Sequence, residues 1–260
     1  MKITKPVLKR KLKEAGRAIG LEVSLHRPRG KESLPKYIEP EFRELYLKYC
    51  HKTMVPWSGL YTAYKAAKHI AKHKIPGAIV ECGVWKGGCS ALMAETLIKQ
   101  GETGREIYLY DTFAGMTAPE DIDQHFTESR DSHKLYSDNK KSDHVDWCYG
   151  PYEEVQATLK TSGYPEEKIH MIKGPVEETL QKTLPENIAL LRLDTDWYES
   201  TKAEMEHLYP LLSTGGMFLV DDYGTWQGAR RAVDEYIEKH NLPLFLHFDP
   251  AFGGISAVKT

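Results

Sequence analysis

The sequence predicts an α/β fold: a mostly parallel β-sheet with an antiparallel C-terminal edge and helices on both faces. Short apolar runs, typical of buried strands, alternate with helical segments from about residue 57 onward, a pattern typical of parallel sheets. The last two apolar runs are separated only by a short loop, which indicates an antiparallel pair. We expect residues 1–52 to form an N-terminal extension, helical or irregular, and residues 53–260 to form the main domain.

The predicted elements follow one another in a regular order. The extension contains one helical segment, EPEFRELYLKYCHK, among four prolines. The next helix, SGLYTAYKAAKHIAKH, has an apolar stripe that includes Leu60 and Tyr64, and Ser58 is its predicted N-cap. The strands are then GAIVECG, EIYLYDTF, KIHMIKG, IALLRLD, GGMFLVDDY, PLFLHFD and GGISAVKT. The helices between them are GGCSALMAETLIKQ, YEEVQATLKTSGY, PVEETLQKTL, YESTKAEMEHLYPLL and GARRAVDEYIEKHN.

The composition excludes several classes of protein. With 28% charged residues and a formal net charge of −2, the chain resembles neither nucleic-acid-binding proteins nor proteins that coat anionic membranes. No apolar run is long enough to span a membrane, and no signal-peptide core follows Met1. The four cysteines form no C-x-x-C pair, so we expect reduced thiols and a cytoplasmic location. Basic residues cluster within the first 31 positions, and we interpret them as a solvated face.

One long segment, from Met116 to Trp147, shows no periodicity and is rich in Asp, Ser, His and Lys. Connections of this length without secondary structure are uncommon in compact domains and are often functional. We therefore predict a long loop or a mobile insertion here.

A glycine-rich turn, VECGVWKGGCS, leaves the first predicted strand and opens a helix. Gly83, Gly87 and Gly88 would let a ligand approach the backbone closely, but the turn lacks the G-x-G-x-x-G and G-K-[ST] patterns of phosphate loops. Asp111 ends the next strand, where an acidic residue commonly accepts hydrogen bonds from ribose hydroxyls. The combination indicates a nucleoside ligand such as S-adenosylmethionine, with Glu81 near its positively charged part. A purely structural turn is the alternative.

Two predicted strands end in pairs of carboxylates. Asp194 and Asp196 follow LLRL, and Asp221 and Asp222 follow MFLV. Such like charges would repel one another at a shared sheet edge unless a cation lay between them, and oxygen ligands favour Mg²⁺, Mn²⁺ or Ca²⁺ over Zn²⁺. A carboxylate that does not bind the cation could accept a proton from a hydroxyl group. Asp196 also fits as the N-cap of the following helix.

Six motifs resemble those of the macrocin O-methyltransferase family, in the same order. They are GAIVECGVWKGG, YDTFAGM, GYPEEKIHMIKGPVEETL, LLRLDTDWYEST, LYPLLSTGGMFLVDDYG and GARRAVDEY, between about Met54 and Tyr236. The resemblance implies a Rossmann-like class I methyltransferase fold. It also implies S-adenosylmethionine as cofactor, Mg²⁺ (or Mn²⁺) as metal, and methylation of a hydroxyl on a sugar or glycosylated small molecule.

The resemblance also assigns roles to residues. Asp194, Asp221 and Asp222 would bind the metal, and Asp196 would be the catalytic base. The residues implied to bind the cofactor are Glu81, Gly83, Val84, Gly87, Ser90, Asp111, Thr112, Gly174, Pro175 and Val176. The family often has an aromatic residue near Val176, and this chain does not.

Other functions compete with this interpretation. A D-x-D motif also binds the metal of nucleotide-sugar glycosyltransferases, and a methyltransferase could act on a phenol, a catechol or a protein. A non-catalytic binding protein on the same scaffold would have no need to keep four clustered acids. We expect a small-molecule or saccharide acceptor, no nucleic-acid partner and no membrane span. Assembly into a homo-oligomer stays open.

Overall fold

Seven strands form one sheet in a computed structural model that describes residues 34–127 and 131–260. The strands are β1 (Ala78–Cys82), β2 (Ile107–Asp111), β3 (Ile169–Lys173), β4 (Ile188–Leu193), β5 (Leu212–Val220), β6 (His247–Phe248) and β7 (Ile255–Val258). Their order is β3-β2-β1-β4-β5-β7-β6. β1 to β5 are parallel, whereas β7 runs antiparallel to β5 and β6 antiparallel to β7. The predicted parallel sheet and its antiparallel edge are therefore confirmed.

Seven α-helices of the described residues follow the predicted order, and an eighth, Ser132–Asn139, lies in the segment that was predicted to be a loop. They are α1 (Pro40–Tyr49), α2 (Trp57–Lys72), α3 (Gly88–Lys99), α4 (Ser132–Asn139), α5 (Tyr152–Lys160), α6 (Val176–Thr179), α7 (Tyr198–His207) and α8 (Gln227–Lys239). The predicted N-cap of α2 was wrong. The helix begins one residue before Ser58, and its N-cap position is Pro56, which has no side-chain hydrogen bond to offer.

The core is built from the apolar strands and the inner faces of the helices. All residues of β1 and β4 are buried, as expected for central strands covered on both faces. Helix α1 belongs to the predicted extension, yet it buries Phe42, Leu45 and Tyr46. The hydroxyl of Tyr49 donates a hydrogen bond of 2.5 Å to Glu95 in α3. Residues 1–33, with the basic cluster, lie outside the described residues.

The described parts of the segment 116–147 contain more secondary structure than the sequence predicted. The segment contains α4, whose first turn is capped by Asp131, the acceptor of a 3.0 Å hydrogen bond from the backbone N–H of Lys134. Trp147 at its end packs against Trp197 and Trp226. Pattern analysis missed this secondary structure because the contacts that hold the segment come from distant parts of the chain.

The carboxyl ends of the parallel strands meet at one edge, as they must when all strands run the same way. Backbone hydrogen bonds extend the sheet just beyond the strands. The N–H groups of Gly83, Asp194 and Asp221 each donate to a carbonyl at the end of the neighbouring strand, over 2.8, 2.9 and 2.9 Å. These bonds fix the first residue of each loop at that edge. Within the described ranges, no helix is long and apolar enough to cross a membrane.

Candidate active site

Two adjoining clefts open at the carboxyl edge of the sheet. The first, the glycine-turn cleft, is lined by Gly83, Asp111, Thr112, Gly174, Pro175, Val176 and their neighbours. The second, the aspartate cleft, is lined by Glu81, Val84, Arg192, Asp194, Asp196, Asp221, Asp222 and an apolar wall. Both clefts are lined by Met54, Gly83, Trp85, Cys148, Asp194 and Asp196. A ligand in one cleft would therefore touch a ligand in the other.

The glycine turn lies directly against the loop that follows β4. Gly83 has a φ of 78°, and a Cβ at this position would collide with the carbonyl group of Asp194. An L-residue with a side chain would be strained here by both its φ and its contacts. The absence of a side chain thus allows two strand ends to approach each other at the junction of the clefts.

Asp111 holds the glycine turn through its side chain. Its Oδ2 accepts hydrogen bonds from the backbone N–H groups of Val84 (2.7 Å) and Trp85 (3.1 Å). Its Oδ1 accepts one from Phe113 (2.7 Å). Burial raises the pKa of Asp111, and these three backbone donors partly offset that effect. The carboxylate predicted to contact a ribose is therefore also the group that shapes the turn.

Not every predicted cofactor residue lines the glycine-turn cleft. Glu81 and Val84 line the aspartate cleft instead. Gly87 precedes α3 and faces Val155, and Ser90 is buried beneath the surface, where its hydroxyl donates to Glu81. Several residues that line the glycine-turn cleft were not predicted: Trp85, Tyr110, Gly115, Met116, Thr117, Cys148, Glu177, Thr195 and Ser200.

Arg192 is the centre of the aspartate cleft, and the sequence analysis passed over it. Its side chain is 2% exposed. Nη1 lies 2.5 Å from Glu81 and 2.8 Å from Asp194, and Nη2 lies 2.6 Å from Asp221. One guanidinium group thus contacts three carboxylates from three loops or strands. The signal was available, because an arginine inside an otherwise apolar strand is almost never buried without partners.

Asp196 and Asp222 face each other beside this arginine. Burial, followed by the charge of Asp194, raises the pKa of Asp196 to about 7, although the side chains of Asp222 and Trp226 lower it. Burial and the charges of Asp196 and Asp194 raise the pKa of Asp222 well above its usual range. The backbone of Asp196 is left-handed, with a φ of 68°, a conformation that Asp tolerates better than most residues. The two carboxyl groups therefore lie close together, which disfavours the ionisation of both at the same time.

The N-cap interpretation of Asp196 does not hold. The N-cap position of α7 is Trp197, and no side chain at that position caps the helix. The backbone N–H of Tyr198 instead donates 2.8 Å to Asp123, a residue of the 116–147 segment. Asp196 is thus not occupied with the helix start.

A second unpredicted acid supports the loop from below. Glu204 of α7 is fully buried, and its Oε1 accepts a 2.9 Å hydrogen bond from the hydroxyl of Thr195. Burial raises the pKa of Glu204 well above its usual range. Through this hydrogen bond, Glu204 holds Thr195, the residue between Asp194 and Asp196.

The donor set of the aspartate cleft fits a hard divalent cation in its chemistry. Carboxylate oxygens are the ligands that such cations prefer, and Oδ2 of Asp222 is buried with no hydrogen-bond partner. Five carboxyl groups line the cleft beside a single arginine. However, in the part of the chain that the structure describes, no three acidic, histidine or cysteine side chains are arranged as a ligand cluster. The predicted metal site therefore stays a prediction.

Comparison with known proteins identifies the family of this chain. Residues 47–248 match the family model described as macrocin-O-methyltransferase. The chain belongs to the macrocin-O-methyltransferase family. The predicted resemblance and enzyme class, an S-adenosylmethionine-dependent O-methyltransferase, are therefore confirmed. Family membership supports S-adenosylmethionine as the cofactor, and the predicted Mg²⁺ or Mn²⁺ stays a prediction.

Two curated relatives illustrate the match. The chain is 32% identical, over 73% of its length and 69% of the relative, to 8-demethyl-8-(2,3-dimethoxy-alpha-L-rhamnosyl)-tetracenomycin-C 4'-O-methyltransferase of Streptomyces olivaceus. It is 27% identical, over 73% of its length and 72% of the relative, to mycinamicin III 3''-O-methyltransferase of Micromonospora griseorubida.

A solved structure confirms the fold. The O-methyltransferase NovP superposes with a TM-score of 0.69 at 27% identity, over 80% of this chain and 82% of NovP. The macrocin-O-methyltransferase fold is thus the Rossmann-like sheet described above.

Proposed function

We propose that this chain transfers the methyl group of S-adenosylmethionine to a hydroxyl group of a sugar or a glycosylated small molecule. The junction of the two clefts carries this proposal, because Gly83, Asp194 and Asp196 line both of them. A cofactor in the glycine-turn cleft would present its methyl group to an acceptor in the aspartate cleft.

The cofactor would be held mainly by backbone and by Asp111. Gly83 and Gly174 both line the glycine-turn cleft, and both have a positive φ that favours glycine. Free lone pairs on the Asp111 carboxylate can accept hydrogen bonds from ribose hydroxyls in addition to the backbone N–H groups, because an ionised carboxylate has about four acceptor sites. Glu177 of α6 lines the same cleft and offers a second acidic acceptor.

The transfer needs a base and an aligned nucleophile. The acceptor oxygen forms a bond to the methyl carbon while the carbon–sulfur bond breaks. Sulfur keeps the electron pair of that bond, which yields S-adenosylhomocysteine. Asp196 accepts the hydroxyl proton, and its raised pKa of about 7 suits a base that works near neutral pH. Holding the reactants in line is a large part of the rate gain in such reactions.

A divalent cation is the second part of the proposal. Asp194, Asp221 and Asp222 would bind it, and it would supply a lower pKa for the acceptor hydroxyl. The unpartnered buried oxygen of Asp222 supports this assignment. Mn²⁺ binding followed by electron paramagnetic resonance tests it without turnover. We expect the wild-type protein to bind Mn²⁺ and the Asp222→Asn variant to bind it more weakly. Equal signals from free and protein-containing Mn²⁺ solutions would remove the cation from the proposal and leave methyl transfer standing.

The apolar wall of the aspartate cleft supports a saccharide acceptor. Trp147, Trp226 and Phe252 line the cleft together with Met54 and Pro56. Aromatic faces pack well against the apolar faces of sugar rings. The name of the Streptomyces olivaceus relative includes a rhamnosyl group, which supports the same class.

Two measurements test the proposed reaction. Calorimetry with S-adenosylhomocysteine should show binding at one site. Incubation with S-adenosylmethionine and a panel of glycosides, aminoglycosides, catechols and peptides should give a product heavier by one CH₂ group with a glycoside. Methylation of the catechol or peptide alone would shift the acceptor class. Transfer to none of them, with the cofactor bound, would contradict the proposed acceptors.

A further inference from the structure

One stretch of the insertion, the 117–127 segment, touches the starts of both helices that follow the acid pairs. Tyr198, the first residue of α7, donates its backbone N–H to Asp123 over 2.8 Å. Gln227, the first residue of α8, donates its backbone N–H to the carbonyl of Gln124 over 2.9 Å. The first N–H groups of a helix have no acceptor within the helix itself. Two neighbouring residues of the segment therefore supply an acceptor at each of these two helix starts.

Further bonds hold the segment in this place. The indole N–H of Trp197 donates to the carbonyl of Thr117 over 3.0 Å. The backbone N–H of Phe126 donates to the carbonyl of Thr225 over 3.1 Å. The segment thus bridges Trp197, next to Asp196, and Thr225, three residues after Asp222.

Asp123 is the central residue of this bridge. It is 1% exposed, and both of its oxygens are used, because Oδ2 accepts a 2.9 Å hydrogen bond from the backbone N–H of Glu120. Its partner Tyr198 is 75 residues away in sequence. A buried carboxyl group with two backbone donors is a built contact and not a chance one.

Gly228 of α8 makes room for this carboxyl group. A Cβ at position 228 would overlap Oδ1 of Asp123 and would also crowd the N–H of Tyr198. The three residues therefore fit together only because position 228 has no side chain. This contact links α8 to α7 directly through Asp123.

We infer that Asp123 is a positioning residue that, through the 117–127 segment, keeps the loops of Asp196 and Asp222 facing each other. Asp196 and Asp222 interact through their side chains, and each lies in a loop that ends at a helix start held by the segment. The inference rests on the proposed function only for the chemical roles of Asp196 and Asp222. The structural coupling stands on the contacts alone.

Hydrogen-exchange mass spectrometry tests this coupling on the full chain, with S-adenosylhomocysteine binding as a check of the fold. In Asp123→Ala, we expect exchange about five- to tenfold faster in peptides covering both helix starts, 196–201 and 224–230, as for a lost helix cap. Exchange in peptides that cover the glycine turn should be unchanged, and so should the affinity for S-adenosylhomocysteine. Asp123→Asn keeps an acceptor oxygen for Tyr198 and should restore most of the protection.

Two further variants make the test decisive. Gly228→Ala displaces the Asp123 carboxyl group from the opposite side and should reproduce the pattern of Asp123→Ala. Asp121→Ala is the matched control, since the Asp121 side chain is fully exposed two residues away, and should exchange like the wild type. Faster exchange confined to 196–201 would show that Asp123 stabilises only the start of α7, and it would overturn the inference. Unchanged exchange at both helix starts would overturn it as well.

These outcomes are independent of the proposed reaction. Exchange is measured without acceptor or metal, so a wild-type protein that transfers no methyl group contradicts the proposed function alone. A protein that transfers methyl groups but shows uncoupled helix starts contradicts this inference alone.

Discussion

Asp111 and Asp222 are both acids at the end of a strand, yet they differ in their hydrogen-bond partners and in the charges around them. Asp111 accepts three backbone hydrogen bonds, which stabilise its ionised form. Asp222 has a buried oxygen without a hydrogen-bond partner, and the charges of three more acids, Asp196, Asp194 and Asp221, raise its pKa. Backbone N–H groups can satisfy one carboxylate, but a cluster of carboxylates needs positive charge. We therefore expect a bound cation to stabilise the aspartate cleft but not the glycine-turn cleft.

The largest expected effect comes from removing Asp196, the proposed base. Asp196→Asn should lower the turnover rate by about 10²- to 10⁴-fold, the usual contribution of a general base. Affinity for S-adenosylhomocysteine should remain, because the amide keeps the size of the side chain. Initial rates with a glycoside acceptor and calorimetry on the same preparation measure both quantities. Normal turnover by this variant would leave Asp196 without a catalytic role.

Arg192 carries the second largest effect, on stability. Arg192→Leu leaves Glu81, Asp194 and Asp221 without their shared counter-charge, and breaking buried pairs of this kind costs about 3–5 kcal/mol of unfolding free energy. Urea denaturation measures the loss. Added Mg²⁺ should recover part of it if the aspartate cleft binds a cation.

The matched control for Arg192 lies at the opposite edge of the sheet. The guanidinium of Arg105 donates to the carbonyls of Ile75 and Gly77 and pairs with only one carboxylate, Glu102, at 2.7 Å. Arg105→Leu should lose stability without any recovery by Mg²⁺. Recovery of both variants to the same degree would show that the cation acts elsewhere on the protein.

These contrasts also show how much the sequence could reveal. The strands, their direction and the edge that gathers the acids follow from alternating apolar runs and helices, and all of these agree with the structure. Arg192 was missed because it was counted as part of an apolar run. The bridge through Asp123 was missed for a different reason. Its partners Tyr198 and Gly228 are far away in sequence, and local pattern carries no signal for contacts of that range.

A smaller effect is expected in the glycine-turn cleft. Asp111→Ala removes the acceptor of three backbone N–H groups and the predicted ribose contact. Hydrogen bonds to a charged group contribute about 1.5–3 kcal/mol, so affinity for S-adenosylhomocysteine should fall about 10- to 100-fold. Asp111→Asn keeps one carbonyl acceptor, and its affinity for S-adenosylhomocysteine should lie between those of the wild type and Asp111→Ala. Calorimetry decides the order, and equal affinity in all three proteins would contradict the role of Asp111.

The smallest expected effect is the dependence of stability on pH. We expect the acids of the aspartate cleft to contribute more to it than Asp111 of the glycine-turn cleft. Burial raises the pKa of Asp196 and Asp221 to about 7 and raises that of Asp222 well above its usual range. A carboxyl group with a raised pKa in the folded state stabilises the fold below its unfolded pKa of about 4, and this stabilisation is lost as the pH rises through the folded value. In the absence of divalent cations, the melting temperature should therefore fall between about pH 5 and pH 8.

The surface acid Glu106 does not contribute to this pH dependence. Glu106 pairs with Lys168 and His170, which lower its pKa, so it is ionised throughout that range. Asp222→Asn removes one of the buried titrating groups, so its melting temperature should change less with pH than that of the wild type. Differential scanning fluorimetry in a chelating buffer measures both slopes. A wild-type melting temperature that rises toward pH 8 would mean that the aspartate cleft already holds enough positive charge, and the contrast with Asp111 would disappear.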